Sequence, residues 1–209
     1  MQQLNGTGLK RLHRTYRRGN GFRLAVILEN IQSPFNVGSI VRTAAAMGAE
    51  HLYLAGGTPE LKSSGVQKAA MGTDRYLRTH SFATIAEAVA KAKADGYRVV
   101  ALELADGAVP LASAALATDV CLVVGHEDRG VTAEALGLSD IVAFAPQLGR
   151  VGSLNVSSAL AIGAYEVRRQ GFEVTGLPSL GDGDGGGGDG DGDADGDGDA
   201  DGDGAGSED

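Results

Sequence analysis

Short unbroken apolar runs, separated by longer stretches of mixed character, fill the chain from Leu24 to Arg169. Leu24 to Leu28 shows no alternation, which suits a strand covered on both faces. A turn follows over Asn30 to Asn36. Its Pro34 pushes Ser33 away from helix, and Asn36 is a good cap for a helix over Val37 to Met47 that Gly48 closes. His51 to Leu54 reads as a second strand, Pro59 to Gly72 as helix or loop, and Arg75 to Thr79 as a further strand. Ile85, Val89 and Ala92 form one stripe of a helix from about Thr84 to Ala94, with Gly96 at its end and a strand over Tyr97 to Leu102 behind it. Val109 to Leu116 fits more than one assignment. Asp119 to Val124 and Ile141 to Phe144 read as strands, Thr132 to Leu136 as a short helix, and Leu154 to Arg169 as a long one.

Strands of four to six residues alternating with helices predict an α/β domain built on a mainly parallel sheet, with ligands beyond the carboxyl ends of the strands. Three loops occupy that position: Glu29 to Asn36, Gly125 to Gly130 and Ala145 to Ser153.

Composition changes the picture at both ends. The 209 residues carry a formal charge of -9, but Gly181 to Asp209 holds twelve of the 27 acids among thirteen Gly, and lacks any branched aliphatic, aromatic or basic side chain. Such a segment cannot form a core, and a disordered acidic tail over 179–209 is expected. Without its acids, 15 acidic residues face 18 basic ones, so the body carries +3. Asp197 to Glu208 satisfies the D-x-D-x-D-G-x5-E outline of a calcium loop. The match comes cheaply in so repetitive a stretch, and a solvating appendage is the preferred reading.

At the other end, Lys10, Arg11, Arg14, Arg17, Arg18 and Arg23 crowd together with His13, and no acid precedes Glu29. This basic extension over 1–22 either neutralises RNA phosphates or is a solvated, partly disordered terminus. The apolar runs are too short to cross a bilayer and no apolar targeting segment follows the basic residues, so a cytoplasmic protein is expected, with no membrane partner. Cys121, the single cysteine, sits in the run VCLVV and reads as a buried small side chain. His51 and His80 lack the companions of a metal site, so no metal is expected and ordinary hydrogen bonding is assigned to both.

The loops themselves leave alternatives open. The glycines of Gly125 to Gly130 could admit a ligand to the backbone, or bound a surface turn whose charges pair among themselves. Neither a G-x-G-x-x-G nor a P-loop pattern is present, and there is no G-x-S-x-G elbow. Ser153 is a plausible cap whose following amides suit a ligand oxygen, or Ser153 and Asn155 only orient the helix start. Arg42 is either a surface residue snorkelling past the core or a charge placed for a phosphate or carboxylate; Glu29 could pair with a nearby base and hold its turn.

Three blocks in order carry a resemblance: LENIQSPFNVGSIVRTAAAMG from Leu28, LVVGHEDRGVT from Leu122, and APQLGRVGSLNVSSALAIGAYE from Ala145. From about Arg23 to Arg169 the chain resembles the SpoU or TrmH family of RNA 2'-O-ribose methyltransferases within the SPOUT superfamily. The resemblance implies a SPOUT-type α/β domain over 23–178 with helices on both faces and a C-terminal trefoil knot, S-adenosylmethionine bound in a bent pose, a homodimer, and a tRNA or rRNA substrate. Only the resemblance supports the knot, since general topology argues against one. It further implies that Arg42 activates a ribose 2'-hydroxyl, with Asn36, Glu127, Ser153 and Asn155 as its companions. The backbones of Leu102, Gly125, Ala145, Gln147, Leu148 and Leu154 would form the cofactor pocket.

The chain departs from the pattern at Ala145-Pro146-Gln147, where many relatives have I-P-M, and at Gly152, where many have an acid. An arginine is a poor base at neutral pH, so the role that fits Arg42 is electrostatic, beside the developing oxyanion and a substrate phosphate. The competing readings are a non-catalytic RNA-binding or ribosome-assembly protein that kept the fold, and a methyltransferase acting on a base or a protein.

Overall fold

A computed structural model describes residues 3–19 and 21–178 of the chain. The elements run α1 (Gly6–Gly19), β1 (Leu24–Glu29), α2 (Pro34–Ala46), β2 (His51–Ala55), α3 (Ser64–Ala70), β3 (Arg78–Phe82), α4 (Ile85–Ala94), β4 (Arg98–Leu102), β5 (Val109–Pro110), β6 (Val120–Val124), α5 (Ala133–Leu138), β7 (Ile141–Phe144) and α6 (Val156–Thr175). Among the described residues the strands form one seven-stranded sheet in the order β3-β2-β1-β6-β4-β7-β5, with every pair parallel. The acidic tail and its calcium-loop outline lie outside the described residues.

The central strands β1 and β6 are buried along their whole length, which is why their sequence shows no alternation. Successive side chains of a strand still point to opposite faces. Leu24, Val26 and Leu28 of β1 join Leu122 and Val124 of β6 in a cluster with Val37, Ile40 and Val41 of α2 and Leu160, Ala164 and Val167 of α6. Ala25, Ile27, Cys121 and Val123 face the other way, onto Ile85 and Val89 of α4 and Ala135 of α5. The result is a sheet with helices on both faces. Cys121 is fully buried, and burial pushes its thiol well up, so the residue is a packing group as expected.

Several boundaries differ from expectation. Helix α2 begins three residues before the predicted start: Ser33 is the cap, its hydroxyl accepting from the Asn36 amide, and Pro34 occupies the first helical position. Proline is well suited there, because its φ is helical and its missing N–H is one that a helix start leaves unpaired. Ser33 itself is extended (φ -80°, ψ 116°), as a residue before proline should be. At α6 the cap is Asn155 rather than Ser153, with Oδ1 accepting from the amide and hydroxyl of Ser157. That helix continues past Arg169 to Thr175, helped by ion pairs of Arg169 with Glu166 and Glu173. β3 starts at Arg78, because Thr73–Tyr76 forms a 3-10 turn. Val109 to Leu116 resolves into the two-residue β5 and a 3-10 turn over Leu111–Ser113.

The basic N-terminal segment is helical. α1 buries none of its residues, and the Tyr16 ring meets Phe172 of α6 edge to face at 5.7 Å. Arg23, grouped with this basic set in the sequence, has a different setting. Its guanidinium pairs with Asp119 at 2.9 Å, donates to the Asp95 carbonyl and lies 4.7 Å over the Tyr97 ring, tying the start of β1 to the loop before β6. His51 Nδ1 and His80 Nε2 hydrogen-bond at 3.1 Å on the outer strands β2 and β3, and no group of metal-ligand side chains occurs among the described residues. No helix among those residues is long and apolar enough to cross a membrane.

Candidate active site

Because every strand runs the same way, the loops after β1, β6 and β7 emerge at one edge of the sheet. A chain of side-chain hydrogen bonds joins them. The Glu127 carboxylate accepts from the amides of Gln32 and Ser33, both at 3.0 Å, and from Asn36 Nδ2 at 2.8 Å. Asn36 Oδ1 in turn accepts from Asn155 Nδ2 at 3.1 Å, and Asn155 Oδ1 holds the start of α6. Burial alone would push the Glu127 carboxyl up, but donation from the Gln32 amide, Asn36 and the Ser33 amide outweighs it and brings the pKa down to about 2. Glu127 is therefore a fixed anion at neutral pH and no proton carrier.

Neighbouring groups build this platform without being legible as site residues. Glu29, 1% exposed, takes no base as partner; it accepts from the Thr132 amide at 3.0 Å and hydroxyl at 2.5 Å. Thr58 donates from its hydroxyl toward the carbonyls of Leu28 and Ala55 and accepts from the Ile31 amide, stitching the loops after β1 and β2. Glu103 accepts from the Val131 amide at 2.8 Å. Apart from the Thr58 bond to Ala55, these carboxylate and hydroxyl contacts span from 27 to 103 positions of sequence, beyond any local signal.

Gly125 serves the protein's own backbone. A Cβ there would stand 2.2 Å from the Gly130 carbonyl oxygen, where the loop closes on itself through a bridge between His126 and Gly130. The chain turning back on itself is enough to require a glycine at this position.

A cavity of about 450 Å³ opens beside the cluster. Ala145, Gln147, Leu148 and Leu154, four of the six expected cofactor residues, line it, together with Leu111 and Glu166 from outside that set. Leu102 and Gly125 are not among its lining residues; Leu102 instead packs its side chain against Gly163 of α6, where a Cβ would meet Cδ1 at 2.6 Å. Ser153 is exposed in the loop, and its hydroxyl does not join the Glu127–Asn36–Asn155 chain.

Arg42 makes no hydrogen bond to the cluster within this chain. Six residues beyond Asn36 it is about 9 Å further along the axis of α2. It is exposed, with Nη1 2.8 Å from Met71 Sδ. Met71 is left-handed (φ 52°, ψ 42°) at the end of α3. The exposed basic residues Lys10, Arg11, Arg14, Arg17 and Arg18 lie on α1. That helix meets α6 at Phe172, about 25 Å along the axis from Asn155.

Residues 23–165 match the SpoU rRNA Methylase family. The chain is 36% identical over 152 residues to the tRNA (guanosine(18)-2'-O)-methyltransferase of Thermus thermophilus, covering 70% of this chain and 75% of the relative. To the enzyme of the same name from Escherichia coli it is 35% identical over 147 residues, covering 70% of this chain; it spans only 63% of that relative's length. Among solved structures, an AdoMet-bound rRNA methyltransferase from Sinorhizobium meliloti superposes with a TM-score of 0.66 at 32% identity, over 71% of this chain and 56% of the other. A TrmH/SpoU tRNA modifying enzyme from A. aeolicus gives 0.67 at 28% identity, over 83% and 89%. The three resembling blocks all fall within or across the matched span, and the chain belongs to the SpoU rRNA Methylase family.

Proposed function

We propose that this protein transfers a methyl group from S-adenosylmethionine to a ribose 2'-hydroxyl of a structured tRNA or rRNA. The observation that carries the reading is the hydrogen-bonded chain Glu127–Asn36–Asn155, which locks three family blocks together beside the cavity. The names of the relatives point the same way.

The cavity residues fit the cofactor. About 450 Å³ lies within the range of about 300–1,000 Å³ usual for small-molecule sites. Its apolar lining of Leu111, Pro146 and Leu154 suits a nucleoside face, and the Gln147 methylenes can pack there where many relatives have methionine. When bound, S-adenosylmethionine supplies a methyl group activated on a sulfonium sulfur. The protein's share is positioning. Ala145, Gln147, Leu148 and Leu154 hold the cofactor, and Ser153, in the same loop, offers its hydroxyl to the reacting groups. Glu127 fixes the turn that carries Asn36, while Asn155 orients the start of α6. Arg42 stabilises the developing 2'-oxyanion and clamps a substrate phosphate, and the hydroxyl proton passes to phosphate or water.

The site needs a second copy of the chain. Leu148, Val151, Ile162 and Tyr165 are exposed around an open cavity, and Arg42 turns to Met71 Sδ rather than hydrogen-bonding Asn36 within one chain. A homodimer covers those apolar residues and completes the site, with the trefoil knot of the family behind it. Residues 23–178 form the catalytic domain, set in the cytoplasm where its RNA is. Lys10, Arg11, Arg14, Arg17 and Arg18 of α1 bind phosphates remote from the modified ribose. Arg23, engaged with Asp119, is withdrawn from that surface.

The test is direct. The purified protein is incubated with labelled S-adenosylmethionine and total RNA, and the RNA is digested to nucleosides. Label in 2'-O-methylribose is expected. RNA binding without transfer would make the protein a binding module that kept the fold; label in a base or in protein would move the acceptor.

A further inference from the structure

Phe35 is 69% exposed on the first turn of α2, next to Asn36. A lone exposed apolar side chain is ordinary. What distinguishes this one is the rigidity beneath it. The amides of Gln32 and Ser33 are held by Glu127, Ser33 caps the helix, and Pro34 has its φ fixed by its ring. Pro34 also packs so tightly on Gly65 of α3 that a Cβ added to that glycine would meet the Pro34 Cβ at 2.9 Å. The turn is pinned on every side, yet the ring it carries is presented to solvent.

The surroundings select the occupant. Gln32, Ser33, Asn36 and Glu127 make the neighbourhood polar, and both side-chain polar atoms of Asn36 are already engaged, Nδ2 donating to Glu127 and Oδ1 accepting from Asn155. The exposed apolar residues suited to a subunit contact are instead Leu148, Val151, Ile162 and Tyr165, around the cavity. A phenyl ring carries no charge and no polar atom for a phosphate or a ribose hydroxyl. It offers a face to a nucleobase, and RNA is read largely through unstacked bases laid on aromatic side chains.

We infer that Phe35 is the stacking platform for an unpaired base of the RNA at or beside the modified nucleotide. This rests on the proposed ribose methylation and sharpens it: the substrate presents an unstacked nucleotide, in a loop or bulge, rather than a continuous duplex. Phe35 touches the substrate without taking part in bond making.

The sequence contains no tryptophan, so Phe35→Trp places the sole indole fluorophore at the platform. Unfractionated tRNA and rRNA are titrated separately into this variant, and Phe35→Leu and Phe35→Ala are assayed beside it. The indole emission of Phe35→Trp is expected to be quenched by the RNA that the wild type binds. Phe35→Leu and Phe35→Ala should weaken that RNA about 5- to 150-fold, as a rise in KM, with S-adenosylmethionine affinity and melting temperature unchanged. Phe35→Trp should keep wild-type affinity. Wild-type behaviour of Phe35→Leu, or an unchanged indole signal in a protein that binds RNA, overturns the inference. So does blue-shifted emission that depends on protein concentration without RNA, which marks a subunit contact. Failure of the wild type to bind either RNA overturns both readings. Quenching without any methyl transfer removes the catalytic reading and leaves the platform standing.

Discussion

Asn36 and Asn155 meet side chain to side chain at 3.1 Å although 119 residues separate them. Each amide is engaged at both ends: Nδ2 of Asn36 donates to Glu127, and Oδ1 of Asn155 accepts from Ser157. Two asparagines in series thus transmit the position of an anchored carboxylate to the start of α6. Aspartate at either position would place a second anion in the chain and remove a donor, so the amide chemistry is required and not merely the size.

Glu127 is the anchor, and Glu127→Gln should loosen it. The neutral amide keeps one acceptor oxygen but turns an NH2 toward N–H donors. Hydrogen bonds to a charged group contribute about 1.5–3 kcal/mol, and the partial exposure of Glu127 reduces this, giving an expected loss of about 1–2 kcal/mol at pH 7. The folded pKa is about 2 against an ordinary 4.5, so the charged form is favoured by folding. Its stabilisation is complete above pH 4.5 and is lost as pH falls toward 2. Urea unfolding of wild type and variant should therefore differ at pH 7 and converge between pH 4.5 and 2. A gap that persists unchanged at the acid end would show that the charge is not what holds the turn.

Arg42 acts by a different principle. Arg42→Ala should reduce methyl transfer by about 10²–10³-fold, the scale of losing one oxyanion-stabilising donor. Cofactor affinity should hardly change, because the cavity is lined by the 145–154 loop and α6 rather than by α2. Calorimetric titration with S-adenosylmethionine checks the second half; a tenfold loss there would place Arg42 in the cofactor site instead.

Much of the fold is legible in the sequence because its signals are local. β1, β6 and β7 are continuous apolar runs, Thr84 with Glu87 forms the capping box that starts α4, and Gly48 and Gly96 take the left-handed conformation after their helices. The candidate site is legible only as a set of residue types. Nothing in the spacing says that Glu127 holds the 32–36 turn, because the bond depends on the parallel register of β1 with β6, in which Leu28 faces Val124. The caps differ from expectation where two polar residues compete: Ser33 with Asn36, and Asn155 with Ser153. Proximity in sequence groups Arg23 with the basic cluster, whereas strand geometry delivers it to Asp119.

Gly38, the first of two glycines in the first block, marks the contact between α2 and α3. A Cβ there would lie 2.5 Å from that of Ala69, 2.6 Å from the Val66 carbonyl oxygen and 2.9 Å from the Ala70 amide. Two of these are backbone atoms and cannot rotate away. Gly38→Ala must move α3 bodily, at about 1–3 kcal/mol, despite the better helix propensity of alanine. Met71 ends α3 and touches Arg42, so the shift should also disturb transfer more than cofactor binding. A melting temperature equal to or above wild type would contradict this packing.

Arg168 holds the opposite end of the molecule together. Its guanidinium donates to the carbonyls of Met47, Gly48 and Phe22 at 2.8, 2.9 and 2.7 Å, joining the end of α2, the entry to β1 and α6. Burial lowers its pKa, opposed by the charge of Glu50, yet the group stays protonated because no accessible pH approaches an arginine pKa. Arg168→Met keeps much of the packed stem but leaves three carbonyls without their donor, two of them in the turn just past α2. The expected cost is about 2–4 kcal/mol. Arg168→Lys should recover only part of it, since one ammonium cannot span three diverging acceptors as a planar fork does. The site lies at the far end of α6, so turnover per folded molecule should survive in both variants. Denaturant midpoints in the order wild type, lysine, methionine, with near-equal specific activity below the transition, are the expected result; a methionine variant as stable as wild type would mean that water replaces the fork at no cost.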